Sequence, residues 1–352
     1  MKQASLAGGM ALVGALLTCM SALAADAATR TRPPRPPYVV PEGAPKGPYQ
    51  NFKPDTPAVD AVVQRAKQTA GNDFAFLWDR YCNPEDRWGV NRARGVREPN
   101  SDGGLDFADM PPTKMFDNFY YVGMTEVAAY ALVTKEGIIV IDSLNNQKEA
   151  EEKIVGGLRK YGLDPKNIKY VIVMHGHGDH FGGARYLQET FGAQVVASEI
   201  DWPAMEKAGD RALKRNIAVK NGDTVTLGGE TVKLYIAPGH TPGTLHASFT
   251  VYDQGRPHNV VFWGGSSYPG DVGGMTSYAQ SAWRLKGVSD ALNADVVIGN
   301  HPQIEGTTWL LRQYIADPAP PNPFIIGHDN VNKFIETFAY CATAARMRLM
   351  KE

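Results

Sequence analysis

Residues 171–183 read VIVMHGHGDHFGG, and the reading of the whole chain turns on them. The run KYVIVM (169–174) is apolar and β-branched over the length of a buried strand. It delivers His175 and His177 two residues apart, so in extended backbone both side chains face the same way. Asp179 and His180 come next, in the turn before a short helix expected over 183–191. Four ligand-type side chains thus follow the carboxyl end of a strand, where open α/β sheets place their sites. A lone histidine is ordinarily a hydrogen-bonded core or surface residue. Three imidazoles and a carboxylate crowded together are costly unless a cation compensates them. Gly176, Gly178, Gly182 and Gly183 let the backbone fold closely around such a cation. His175, His177, Asp179 and His180 are therefore read as metal ligands.

Working outward, two more histidines repeat the context. His240 follows the strand-like TVKLYIA in PGHTPGT, and His301 follows VVIGN in GNHP. One pattern then accounts for five of the eight histidines. His246, inside LHASFTVY, reads as an ordinary sheet residue, and His258 and His328 as loop residues. FYYVG (119–123), AAYALVT (128–134), GIIVIDS (137–143), AQVVAS (193–198), TVTL (224–227) and NVVFWG (259–264) continue the strands, and Asp295–Gly299 is another. Asn146 to Tyr161 reads as a helix. Val331, Phe334, Ile335, Phe338, Ala342 and Ala345 form one face of a C-terminal amphipathic helix. No internal repeat is visible, and the alternation of strands and helices indicates an α/β class.

The 352 residues carry a formal net charge of −1 and are 43% apolar, so no strong field favours nucleic acid or an anionic membrane. Lys2, an apolar run from about Leu6 to Leu23 and the small-x-small Ala22-Leu23-Ala24 predict a signal peptide over 1–24. A membrane anchor or a lipoprotein built on Cys19 are the other readings of that segment. The expected mature protein is exported, periplasmic or secreted, without stable membrane insertion; nothing in the sequence sets an oligomeric state. Residues 25–57 form a Pro-rich tether, RPPRPPYVVPEGAPKGPYQNFKPDTP at 32–57. Residues 58–112 are expected as a helical and loop extension. Pro57 opens a helix with Val59, Val62, Val63 and Ala66 at helical spacing, and an aromatic cluster, Phe74, Phe76, Leu77, Trp78 and Tyr81, packs on the main domain. The polar stretch Trp88–Pro112 is long for a compact loop. The main domain is placed at 113–352. Once Cys19 leaves with the leader, Cys82 and Cys341 remain. Two cysteines do not make a thiolate zinc site, so a metal must rest on histidine and carboxylate. Their spacing alone does not say whether they pair.

HGHGDH, then PGHTPG, then a lone strand-end histidine resembles the metallo-β-lactamase superfamily over roughly Met115 to the C-terminus. The resemblance implies a four-layer αββα sandwich with two zinc ions (Zn2+) between its sheets. His175, His177 and His240 would hold the first; Asp179, His180 and His301 the second. Asp142, at the end of IIVID, matches the carboxylate that orients a ligand histidine, although by itself it reads equally as a turn residue. Many hydrolases of this fold, such as glyoxalase II and the acyl-homoserine lactonases, carry a metal-bridging aspartate where VVFWGGSSYPG (260–270) places Gly265. The missing aspartate, the retained His180 and the NHP sequence are most similar to the third subclass of metallo-β-lactamases. That subclass has serines at the positions of Gly265 and Ser267, of which only Ser267 is kept as a candidate substrate-binding residue. It also pairs its C-terminal cysteine with one shortly before the last histidine ligand. No such cysteine exists here, so the resemblance turns Cys341 towards Cys82.

The activity so implied is hydrolysis of a small molecule: a metal-bound hydroxide, oriented by the catalytic Asp179, attacks a carbonyl. Gly265-Ser266-Ser267 is not a GxSxG elbow, which argues against a serine nucleophile. A β-lactam is the leading substrate expectation. The same site acting on a lactone, an ester or a halogenated aromatic is the alternative, with specificity expected from loops 88–112 and 264–280. An iron oxidoreductase of the same fold is a third reading. Flavodiiron proteins need a bridging carboxylate and a flavin domain, neither of which is visible, and persulfide dioxygenases lack the His180-type ligand.

Overall fold

In a computed structural model of the chain, residues 55–82 and 110–350 are described. The expected leader, the tether as far as 54, and the stretch from Trp88 to residue 109 lie outside these residues.

Strand alternation builds the architecture. One sheet has seven strands in sequential order: β1 (Thr113–Phe116), β2 (Phe119–Tyr121), β3 (Tyr130–Thr134), β4 (Gly137–Ile141), β5 (Ile168–Ile172), β6 (Gln194–Ser198) and β7 (Ile217–Val219). The other has five, ordered β12 (Val296–Gly299), β11 (Arg256–Trp263), β10 (Leu245–Asp253), β9 (Glu230–Ile236) and β8 (Thr224–Leu227). Ile139, Ile141, Ile172 and Met174 face Leu234, Phe249, Val260 and Phe262 in a core between the sheets. Their neighbours Ile138, Val140, Val171 and Val173 point the other way, into a second core. That core is covered by α3 (Gln147–Glu149, a π-helical Ala150–Val155, then Gly156–Lys160) and α5 (Ala184–Phe191), which follows the one-turn α4 (Gly178–Phe181). Behind the five-stranded sheet, Val261 and Trp263 meet α1 (Pro57–Ala70), α2 (Ala75–Tyr81), α6 (Val272–Leu292) and α8 (His328–Leu349). A period-2 pattern with both faces buried gives the four-layer αββα sandwich.

The extension packs as its aromatics suggested. Thr56 caps α1 by accepting from the Val59 N–H, Pro57 sits in the first turn, and Val59, Val63, Ala66 and Ala70 are buried. Tyr81 of α2 lies against Tyr268 and Phe338, with ring centres at 4.7 and 4.8 Å. Cys82 is bonded to Cys341 across 259 residues of chain. Beside the bond, Arg348 makes a buried ion pair with Asp55 at 2.7 Å and donates to the Cys82 carbonyl at 2.9 Å.

Three expectations are corrected. The loop expected over 264–280 becomes α6 from Val272 onward, and Asp271 is its N-cap, accepting from the Gly274 N–H at 2.8 Å. His258 lies in strand β11, paired with Asp295 at 2.6 Å, and His328 opens α8, so neither is a loop residue. A further helix, α7 (Thr307–Ala316), was not anticipated.

Candidate metal centre

The strand ends converge. β4 leads into Asp142, β5 into His175, the β9–β10 turn carries His240, β11 runs into 264–267, and β12 leads into Asn300 and His301. The HGHGDH turn is pressed against the loop after β4. A Cβ on Gly182 would lie 1.9 Å from the Asn145 carbonyl oxygen, and one on Gly183 2.4 Å from that of Ser143. These two glycines therefore allow one loop to approach another, rather than wrapping the backbone around a cation.

All six sequence-predicted ligands are brought together, in two sets. The ligand atoms of His175, His177 and His240 lie within 4.8 Å of one another. His175 Nε2 is 3.0 Å from His240 Nε2. In the second set, His180 Nε2 is 3.2 Å from Asp179 Oδ2 and 3.2 Å from His301 Nε2, and His301 Nε2 is 3.7 Å from Asp179 Oδ2. His177 is exposed and Asp179 half-buried, while His175, His180 and His301 are buried.

Hydrogen bonds from the far ring nitrogens fix how the imidazoles present themselves. Nδ1 of His175 donates to the Gly264 carbonyl (2.8 Å), Nδ1 of His240 to the Ser267 carbonyl (2.7 Å) and Nδ1 of His301 to the Glu126 carbonyl (2.8 Å). Nδ1 of His180 donates to Asp142 Oδ2 (2.7 Å). Oxygens of this kind can only accept, so each Nδ1 carries a proton and each Nε2 is the atom left for a cation. Imidazole nitrogen with one carboxylate suits zinc and similar borderline cations, so this donor set fits such an ion.

Asp142 lies against the His180 ring. It is fully buried, adopts φ 58°, and accepts from the Met174 N–H (2.7 Å), His180 and Asn300 Nδ2 (3.1 Å). A non-glycine residue in that backbone region carries strain, which its three hydrogen bonds offset. Burial would lower the His180 pKa, but the charge and hydrogen bond of Asp142, joined by Asp179, outweigh it and push it up to about 9. His175 goes the other way: burial first, then the four surrounding imidazoles, hold it well below the ordinary histidine value. Burial would raise the Asp179 carboxyl, yet the hydrogen bond from His180 and the charges of His180 and His301 hold it well below the usual carboxylate range.

Position 265 carries no carboxylate. A Cβ on Gly265 would lie 2.8 Å from the His240 side chain, so a larger residue there would displace that histidine. Asp271 is committed to capping α6. Ser267 contributes its carbonyl to His240 and is half-buried.

Several supporting residues escaped the sequence reading. Buried Asp201 accepts from the Gly176 N–H (2.8 Å), Thr241 Oγ1 (2.8 Å) and the Gly243 N–H (2.9 Å), which ties the HGH turn to the PGHTPG turn. Asn300 Nδ2 joins Asp142 to the Gly264 carbonyl at 2.8 Å. Adjacency to His301 was the one available signal for Asn300; for Asp201 there was none beyond its place just past a strand.

A profile described as the metallo-beta-lactamase superfamily matches residues 122–255. A hydroxyacylglutathione hydrolase of Synechococcus sp. is 30% identical over 123 residues, 35% of this chain and 44% of the relative. An N-acyl homoserine lactonase of Bacillus sp. is 28% identical over 144 residues, 33% of this chain and 55% of the relative. The chain thus spans about half, or less, of these two curated relatives. Among solved structures, BJP-1, a subclass B3 metallo-beta-lactamase of Bradyrhizobium japonicum, is 30% identical with a TM-score of 0.53; the match covers 65% of this chain and 92% of that one. With two sheets in a four-layer sandwich, histidines gathered at the strand ends, and this likeness along nearly the whole of a solved relative, the chain belongs to the metallo-beta-lactamase superfamily.

Proposed function

We propose that the protein is an exported dinuclear zinc hydrolase that opens a β-lactam ring. The observation that carries this reading is the pair of ligand sets, each with Nε2 atoms turned inward by Nδ1 hydrogen bonds, beside a position 265 with no room for a carboxylate. His175, His177 and His240 would hold one ion, and Asp179, His180 and His301 the other. Zinc bound there supplies Lewis acidity towards a carbonyl and acidifies water to near neutral pH. Asp179 stays ionised and can accept a hydrogen bond from an attacking water, which orients it for addition to the carbonyl. The scissile bond is C–N in a lactam, and the departing nitrogen takes a proton from solvent. Ser267 is assigned to hold a polar group of the substrate. Export is supported by the leader-like start of the sequence and by the Cys82–Cys341 bond, since disulfides persist in oxidising compartments.

A second reading keeps the site and changes the scissile bond to that of an ester, thioester or lactone. The curated relatives named for hydroxyacylglutathione and acyl-homoserine lactone favour it. One experiment separates the two. The protein is purified without chelator, its zinc and iron are measured, and nitrocefin, a carbapenem, an acyl-homoserine lactone and hydroxyacylglutathione are assayed before and after EDTA. About two zinc ions per chain with chelator-sensitive lactam hydrolysis is the expected result. Zinc with turnover of the lactone or thioester alone would move the substrate to the second reading. Iron in place of zinc, with oxygen consumption and no hydrolysis, would move the reading to the oxidoreductase alternative.

A further inference from the structure

We infer that Glu305 is a positioning residue that ties the two halves of the metal centre together, so that its removal weakens metal binding at both. This rests on the metal-centre reading above. Glu305 ends the helical turn Pro302–Glu305 that directly follows His301. Its side chain is buried, with no ion pair among the described residues. Both carboxyl oxygens accept from the His301 N–H, at 3.1 and 3.3 Å, and one also accepts from Ser266 Oγ. Gly299 makes the room: a Cβ there would lie 2.1 Å from the Glu305 carboxyl carbon.

Ser266 is the hub of the loop that aims the first ligand set. The carbonyls of Gly264 and Ser267, on either side of it, take the Nδ1 protons of His175 and His240. Its own carbonyl accepts from the hydroxyls of Tyr81 (2.8 Å) and Tyr278 (3.2 Å). One carboxyl therefore grips the main chain of a second-set ligand and the loop that orients two first-set ligands. A buried carboxyl without an ionic partner costs stability, and a well-packed apolar side chain would serve the core better. What an apolar residue cannot supply is directed hydrogen bonding between segments 39 residues apart. Ligand-orienting partners of this kind decide how tightly a metal is held.

The test is a zinc titration of the metal-stripped full chain against a chromophoric chelator, with thermal unfolding of the stripped and zinc-loaded forms. Glu305→Ala should weaken both zinc steps by about 10- to 100-fold. Ser266→Ala, which cuts only the link to the loop, should weaken the first step. Glu305→Gln, which keeps an acceptor for His301 and a polar partner for Ser266, should restore most of the loss. If Glu305→Ala lowers the unfolding temperature of both forms equally and leaves both affinities at the wild-type value, the residue is only structural and the inference is overturned. Should that variant not fold, unchanged affinities in folded Ser266→Ala overturn it instead. A wild-type chain that takes up no zinc would bring down the metal-centre reading itself, a distinct result.

Discussion

The two ligand sets differ in composition and in one support: the first is three imidazoles, the second two imidazoles and the Asp179 carboxylate, and His301 leans on a main-chain carbonyl while His180 leans on a carboxylate. His175 and His240 lean on main-chain carbonyls of one loop, Gly264 and Ser267. His180 leans on the buried carboxylate of Asp142 and faces Asp179. The carbonyl-supported set holds a neutral His175 ready to bind, whereas the carboxylate-supported set holds a proton on His180 that a metal must displace. Carbonyl support fixes geometry; carboxylate support also raises basicity and makes occupancy depend on pH.

The sharpest way to break this contrast is to remove one ligand from each set. His175→Ala should abolish uptake of one zinc and cost about a thousand-fold or more in hydrolysis, since the Lewis acid contributes several kcal/mol to the transition state. His301→Ala should remove the other zinc and leave the first set loaded. Metal analysis of the two variants checks this: loss of both ions in both variants would mean that the sets do not bind separately.

The next effect is smaller and separates the two kinds of support. Asp142→Ala should lower affinity at the second step by about 10- to 100-fold and change the first step little. An equal loss at both steps, read by chelator competition, would show that Asp142 supports the centre as a whole, by way of Asn300 and the Gly264 carbonyl.

A pH series then tests the proton. His180 has its pKa pushed up to about 9, so below that pH the metal-free second set is protonated, and its affinity should fall by up to about tenfold per unit of acidification. His175 is held well below 6.5 and adds no such slope at neutral pH. The second-set zinc should therefore be lost first as pH falls from 8 to 6; identical slopes for both steps would contradict the contrast.

This asymmetry also explains what could and could not be read from the sequence. Side chains able to bind metal are of few types, and HGHGDH marked the candidates that the fold gathers, as did His240 and His301 at strand ends. The supports were harder. Asp142 was legible through resemblance because it acts by its side chain. Gly264, Ser267 and Glu126 act by carbonyl groups that every residue owns, so no residue type marks them. Gly265 could be singled out as an absence, but its packing against His240 requires coordinates. In the fold, α6 was missed because its buried face dilutes Met275 and Leu285 with Tyr278, Ala279, Ser281, Ala282 and Ser289, and the helix carries Gly273, Gly274 and Gly287. Its end signals, Asp271 as N-cap and Asn293 in the left-handed region, were present and carried more information than its hydrophobic pattern.

The smallest expected effect lies behind the carbonyl-supported set. His246 is buried against Trp263, and its Nδ1 accepts from the N–H of Gly264, the same peptide residue whose carbonyl holds His175. Burial, with the nearby Arg284 charge adding to it, lowers its pKa to about 3. Unfolded, the same imidazole protonates near 6.5, so between about 6.5 and 3 the unfolded chain binds the extra proton. Stability should fall as pH drops through that window, by up to about 1.4 kcal/mol per unit from this residue. His246→Asn keeps an acceptor for Gly264 and removes the proton. Urea unfolding of the metal-free protein at pH 7 and pH 4.5 should therefore show a smaller acid loss in the variant than in the wild type. Equal losses would mean that His246 already carries its proton in the fold. In that case the Gly264 N–H would lack its acceptor, and the loop that orients His175 would rely on its bonds to Asn300, the two tyrosines and Glu305.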